Sequence, residues 1–198
     1  VRTVLEKPEE KSPMNTRDIG YIALFAALII ALGAVPSFPI AGLPVPITLQ
    51  SLGVMLAGLV LGPKRGALAP VVVIALVGIG LPVLAGGRGG IGVFVGPTAG
   101  FLFGWIPAAF VTGLLALRLD GPGKGMVARV IGLSIAAILG GIVVLYACGI
   151  AWLAFGAMFG LSKAFYSSLF FVPGDVIKAV VAALVTIKVR DAFALERK

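Results

Sequence analysis

The sequence predicts an all-α integral membrane protein with six transmembrane helices and both termini in the cytoplasm. Three observations predict it. First, 60% of the 198 residues are hydrophobic, only 12% are charged, and the mean hydropathy is +1.13. A soluble domain runs at roughly 45–50% apolar and about 25% charged, and a fold this small cannot enclose the excess, so the solvent for most of the surface is lipid. Second, prolines and glycines cut the apolar residues into six stretches. Third, in a six-helix chain 13 of the 16 cations fall on one side of the membrane, which the positive-inside rule makes cytoplasmic.

Residues 1–17 are charged and proline-bearing, without the apolar core of a signal peptide, and read as a cytoplasmic tail. The first span is 19–35, closed by Pro36. Pro39, Pro44 and Pro46 keep 36–46 a loop. Span two is 47–61 and ends in the turn Gly62-Pro63-Lys64-Arg65-Gly66. Span three is 67–81, closed by Pro82. These two have about 15 residues each, fewer than the ~20 that usually cross a bilayer. Segment 83–96 carries Gly86, Gly87, Gly89, Gly90, Gly92 and Gly96. Span four is 97–117, with Pro97 near its start, and 118–125 is a polar turn. Span five is 126–153, 154–170 reads as a loop with some helical character, and span six is 171–189. The transmembrane domain is thus 18–190, followed by a cytoplasmic tail at 191–198.

Chemistry is restricted by what the chain lacks. It has no histidine and a single cysteine, Cys148, which removes histidine catalysis, histidine metal sites and any internal disulfide. No metal site, cofactor or catalytic group is expected. Gly123-Lys124-Gly125 is not a phosphate-binding loop, because it lacks the upstream glycine and the following Ser or Thr. A pI near 10.1 does not imply nucleic acid, since the cations are spread over turns and tails as a topology signal. Three cations break that pattern, Arg88, Lys163 and Lys178, and one acid joins them, Asp175.

Asp175 and Lys178 stand at i and i+3 on one face of span six. Ionisable side chains at membrane depth cost about 2.5–3.5 kcal/mol each and usually mark a site or pathway; the alternative is a pair that only neutralises itself. Arg88, between two glycine pairs, is suited to a carboxylate or carbonyl, or else is a loop cation on a flexible tip, while Gly86 and Gly87 let backbone approach a ligand closely. Thr48 and Gln50 open span two, and Gln50 faces inward to bond either a ligand or a neighbouring helix. Tyr146 is a ligand contact or part of an interfacial aromatic belt, and Trp152 more an element of that belt. Ala23, Ala27 and Ala31, four residues apart on span one, let a helix pack closely; spacing alone favours a helix of the same chain.

Several segments in order carry a family resemblance: Pro44-Val45-Pro46-Ile47-Thr48-Leu49-Gln50, the run from Leu56 through Gly62-Pro63-Lys64-Arg65-Gly66, the run from Gly78 to Gly87, Gly96-Pro97-Thr98-Ala99-Gly100-Phe101, and Phe171-Val172-Pro173-Gly174-Asp175-Val176-Ile177-Lys178. From Asp18 to Arg190 the chain resembles the BioY family, the substrate-binding S components of energy-coupling factor (ECF) transporters for biotin. The resemblance implies an S-component bundle of six helices in a prokaryotic cell membrane, with biotin held near the outer face beneath the loops after spans one and three. It implies a transmembrane T component and two cytoplasmic ATPase subunits as partners. It also reassigns Ala23, Ala27 and Ala31 to docking of the T component. Biotin suits the candidate residues: Asp175 accepts from the ureido N–H groups, Gln50, Tyr146 or Arg88 serves the ureido carbonyl, and Lys178 or Arg88 pairs with the valerate. Alternatives within the same resemblance are an S component for another vitamin and a solitary biotin carrier without ATPases. A small intramembrane enzyme is disfavoured by the absence of histidine and of a nucleophile–base pair.

Overall fold

The computed structural model describes residues 15–37, 45–121 and 123–193. Over these residues the chain is helical: α1 (Thr16–Ala34), α2 (Gln50–Leu61), α3 (Pro63–Gly78), a 3₁₀ turn at Ile91–Val95, α4 (Ala99–Leu119), α5 (Met126–Gly156), α6 (Leu161–Leu169) and α7 (Val172–Phe193). One helix occupies each expected span. Three helices, α1, α4 and α5, are long and apolar enough to cross a bilayer alone, and α6 with α7 makes a fourth as a pair bent by 51°. α2 is a shorter apolar helix of 12 residues, and α3 has 16 with Pro70 inside it. The expected tails overlap helices at their inner ends, since α1 starts at Thr16 and α7 reaches Phe193. The rest of both tails, and Pro39 and Pro44, lie outside the described residues.

The segment 154–170 departs most from expectation. α5 continues to Gly156, and α6 occupies Leu161–Leu169. α6 is amphipathic: Ala164, Ser167 and Ser168 are buried while Phe165, Tyr166 and Lys163 are exposed. Its polar residues hide the helix from a hydropathy reading. Two π-helical stretches, Leu139–Val144 and Trp152–Gly156, interrupt α5, and no apolar periodicity announces such bulges.

α2 and α4 form the centre of the bundle. α2 packs on α1, α3, α4 and α7, and α4 packs on α2, α3 and α5. Nearly every residue of α2 is buried, as expected of a helix that is apolar all round. Close approach depends on small residues, because apolar area alone drives no association in lipid. A Cβ at Gly113 would lie 2.5 Å from the Gly62–Pro63 peptide, and one at Gly140 would lie 2.1 Å from Thr112 Oγ1. The alanine stripe is not used this way: Ala23, Ala27 and Ala31 are exposed, while Ile22, Phe25, Ala26, Ile29 and Gly33 form the buried face of α1. Packing within the chain, which spacing alone favours, is therefore corrected.

Charged helix ends collect at one end of the bundle. Asp18 at the start of α1 pairs with Arg65 at the start of α3 at 3.0 Å. Asp120, the C-cap of α4, pairs with Arg190 of α7 at 2.8 Å and with Arg129 of α5 at 3.3 Å. Arg190 also donates to the Leu59 carbonyl of α2. The N-terminus of α2, the loop after α3, the N-terminus of α4 and the first turns of α7 lie at the opposite end, where the cavity opens.

Candidate functional site

A cavity with an empty volume of about 670 Å³, counted to its open mouth, lies between α2, α4, α5 and α7 beneath the loop at residues 79–98. Its apolar wall includes Phe101, Leu102, Trp105, Leu145 and Phe171. The irregular segment Val45–Pro46–Ile47–Thr48 forms one side. Non-helical backbone at membrane depth is tolerated where it lines a cavity, which is why short α2 can begin deep in the bundle.

Six of the eight sequence candidates line this cavity: Thr48, Gln50, Arg88, Tyr146, Asp175 and Lys178. Asp175 is its centre. Oδ1 accepts from Lys178 Nζ at 2.7 Å and from the Ser51 hydroxyl at 3.2 Å, and Oδ2 accepts from the Tyr146 hydroxyl at 2.6 Å. Lys178 Nζ also donates to the Thr48 carbonyl at 2.7 Å and to Ser51 Oγ at 3.1 Å. Thus Thr48 contributes its carbonyl to this cluster, and all three ammonium protons are used. Asp175 and Lys178 are only 5% and 8% exposed, so their charges must cancel locally. A carboxylate offers about four acceptor positions. Three are filled here, and one on Oδ2 remains.

Arg88 is held differently. Its Nε donates to the Ala85 carbonyl at 3.1 Å and its Nη1 to Thr98 Oγ1 at 3.3 Å. Among the described residues it forms no ion pair with a carboxylate, and burial pushes its guanidinium below the usual range. The cavity wall therefore holds two cations and one acid, Arg88, Lys178 and Asp175. Lys178 is cancelled by Asp175; Arg88 leaves the cavity with a surplus positive charge.

Other candidates fall elsewhere. Gly86 and Gly87 are not among the lining residues. Both are exposed, with φ of +78° and +68°, and among the described residues nothing lies within 4 Å of a Cβ at either; they make the tight turn that bridges Leu84 to Arg88. They shape the loop that carries Arg88. Gln50 lines the cavity, yet both ends of its amide are engaged by the protein's own backbone. Trp152 Nε1 donates to the Gly96 carbonyl at 2.9 Å, outside the cavity. Ser51, Thr98 and Trp105 also line the site, beyond the residues that sequence reasoning selects. Ser51 lies one residue after Gln50 and close to one helical turn after Thr48, a spacing that places it beside them; nothing in the sequence distinguishes Trp105.

Comparison with known proteins decides the family. The family model for the BioY family matches residues 7–195. The chain belongs to the BioY family. Relatives in that family include the biotin transporter BioY of Rhizobium etli, 58% identical over 171 residues that cover 86% of this chain and 91% of the relative. The probable biotin transporter BioY of Bacillus subtilis is 46% identical over 178 residues, 90% and 92% of the two chains. A crystal structure of the S-component for biotin from an ECF-type ABC transporter superposes with a TM-score of 0.82 at 36% identity, over 90% of this chain and 95% of that one. This BioY family chain therefore has the helical fold of an ECF S component.

Proposed function

We propose that the protein binds biotin and takes it up as the membrane-embedded subunit of an ATP-driven ECF transporter in a prokaryotic plasma membrane. It is a transport protein, not an enzyme. The observation that carries this reading is the cavity itself: an apolar wall closed by the Asp175–Lys178–Ser51–Tyr146 cluster, with one uncancelled cation, in a chain whose relatives are biotin transporters. Biotin needs an apolar slot for its thiophane ring and tail, a polar end for its ureido ring and one positive charge for its valerate. The remaining position on Asp175 Oδ2 suits a ureido N–H. The surplus charge of Arg88 suits the valerate, since Nη2 makes no hydrogen bond among the described residues while Nε and Nη1 are engaged. Gln50 and Tyr146 have their donor hydrogens committed in the protein and are read as wall and support.

The six helical segments are read as six crossings with both termini in the cytoplasm, on the strength of the cation placement. The exposed Ala23, Ala27 and Ala31 are read as the face that docks the T component, which in turn joins two ATPases. Isothermal titration calorimetry of the purified chain with biotin tests the binding reading: one saturable site is expected, and no heat in both detergent and nanodiscs would sink it.

Two substitutions separate the parts. Arg88→Gln is expected to weaken biotin by about 1.5–3 kcal/mol, the worth of a charge-assisted hydrogen bond, and to leave biotinamide, which has no carboxylate, nearly unaffected. Equal losses for both ligands would remove Arg88 from the valerate. Ala27→Trp fills the gap between close-packed helices, so uptake into proteoliposomes with the partner subunits is expected to fail while biotin binding by the isolated chain stays at the wild-type level.

A further inference from the structure

Gln50 is 2% exposed, and its side chain reaches three backbone groups from two other parts of the chain. Oε1 accepts from the Ala85 N–H at 3.0 Å. Nε2 donates to the Val83 carbonyl at 3.3 Å and to the Ile29 carbonyl of α1 at 3.4 Å. One amide therefore ties α1, α2 and the loop at 79–98 together. Room for it is made on α1: a Cβ at Gly33 would sit 2.6 Å from Gln50 Nε2 and 3.1 Å from the Val83 carbonyl oxygen. Gly33 lines no part of the cavity.

The tie continues to the cavity's surplus cation. Gln50 fixes the Ala85 N–H. The Ala85 carbonyl, on the next peptide, accepts from Arg88 Nε, and Arg88 Nη1 goes on to Thr98 Oγ1. Between Ala85 and Arg88 stand Gly86 and Gly87, both with positive φ, and the turn is closed by its own backbone: the Gly87 and Arg88 N–H groups donate to the Leu84 carbonyl at 2.9 and 3.2 Å, and the Leu84 N–H donates to the Arg88 carbonyl at 3.0 Å. A turn closed only on itself moves as one piece, so its own bonds do not fix where the guanidinium sits over the cavity. It needs an anchor at its root, and Ala85 is that root.

We propose that Gln50, seated against Gly33, is a latch that positions Arg88 over the cavity by fixing the Ala85 peptide. Gln50 thus acts on ligand retention through the loop rather than by bonding the ligand. The proposal rests on biotin as the ligand for its kinetic readout, but not for its structural one. It also gives α1 a link to the cavity: the Ile29 carbonyl lies between Ala27 and Ala31 in sequence, so a shift of α1 would reach the Ala85 peptide through a single side chain.

Gln50→Leu and Gly33→Ala test the latch from its two sides. Gly33→Ala on its own favours helix in α1, so any loss it causes is not a loss of helix. In hydrogen–deuterium exchange of the ligand-free full chain in detergent, both variants are expected to lose protection at residues 83–88, with α4 and α5 protected as in wild type. Biotin release is expected to quicken about tenfold, as for loss of one buried polar pairing, with association changed far less. In an Arg88→Gln background, Gln50→Leu is expected to add little further effect on release, because both act on one group. Unchanged protection at 83–88 in both variants would overturn the latch. So would faster biotin release from Gln50→Leu with that protection intact, which would make Gln50 a direct ligand contact, and so would fully additive effects with Arg88→Gln. If wild-type protein binds no biotin, the ligand reading fails alone, and the exchange comparison still decides the latch.

Discussion

Asp175→Asn is expected to weaken biotin binding by about a hundredfold, roughly 3 kcal/mol, and to lower the thermal stability of the chain in detergent. The variant keeps the shape of the side chain and removes its charge. Lys178, 8% exposed and donating to Asp175 at 2.7 Å, is left as an uncompensated ammonium among neutral oxygens. The amide also presents a donor where the carboxylate presented an acceptor: facing Lys178 it sets donor against donor, and facing the Ser51 or Tyr146 hydroxyl it forces that hydroxyl to accept instead of donate. Lys178→Met should destabilise for the mirror reason, leaving a buried carboxylate with only Ser51 and Tyr146 to satisfy it. The double variant, Asp175→Asn with Lys178→Met, distinguishes structure from recognition. It is neutral at both positions, and replacing a buried pair by uncharged groups is often tolerated. Stability should largely return, while biotin binding should not, because the free acceptor position on Asp175 Oδ2 is gone. Recovery of both in the double variant would reduce the pair to an internal ion pair with no part in the ligand.

Which parts of this arrangement are legible in the sequence follows from range. Asp175 and Lys178 are three residues apart, and helical spacing alone puts them together. Their further partners, Thr48 and Ser51, are more than 120 residues away in sequence, and no spacing joins them to Asp175. Gln50 shows the same limit in sharper form. An amide in an apolar span must face inward, and it does, but the groups it meets are backbone N–H and C=O groups of Ile29, Val83 and Ala85. Backbone carries no residue-type signal, so a strut and a ligand contact read alike. The fold divides similarly. α1 and α4 begin and end close to where proline and apolar runs place them. α6 escapes because nine residues with three serines and a lysine resemble a loop. The π-helical turn at Leu139–Val144 escapes because no apolar periodicity marks it; it lies where Gly140 packs closely on Thr112 of α4, a contact that spacing does not show.

At the other end of the bundle, Asp120→Leu is expected to destabilise the chain by about 3–5 kcal/mol while leaving the biotin affinity of the folded molecules intact. The Asp120 side chain is fully buried and accepts from Arg190 Nη1 on one oxygen and Arg129 Nε on the other. Arg129 has a second carboxylate, Asp191 at 3.1 Å, and stands nearer to solvent. Arg190 is 8% exposed and holds the Leu59 carbonyl as well, so it bears more of the loss. Without Asp120 its guanidinium stays inside the junction of α2, α4, α5 and α7 and is deprived of a carboxylate at 2.8 Å. If the loss of that pairing is the cause, removing the cation too should repair the damage: Asp120→Leu with Arg190→Leu should recover most of the melting temperature, as apolar replacement of a buried pair commonly does. A single Asp120→Leu variant as stable as wild type would show that the network carries no stability. A double variant no better than the single would place the cost in lost geometry at the α4 C-cap. Biotin titration of the same proteins separates this end of the bundle from the cavity, since the two share no residue.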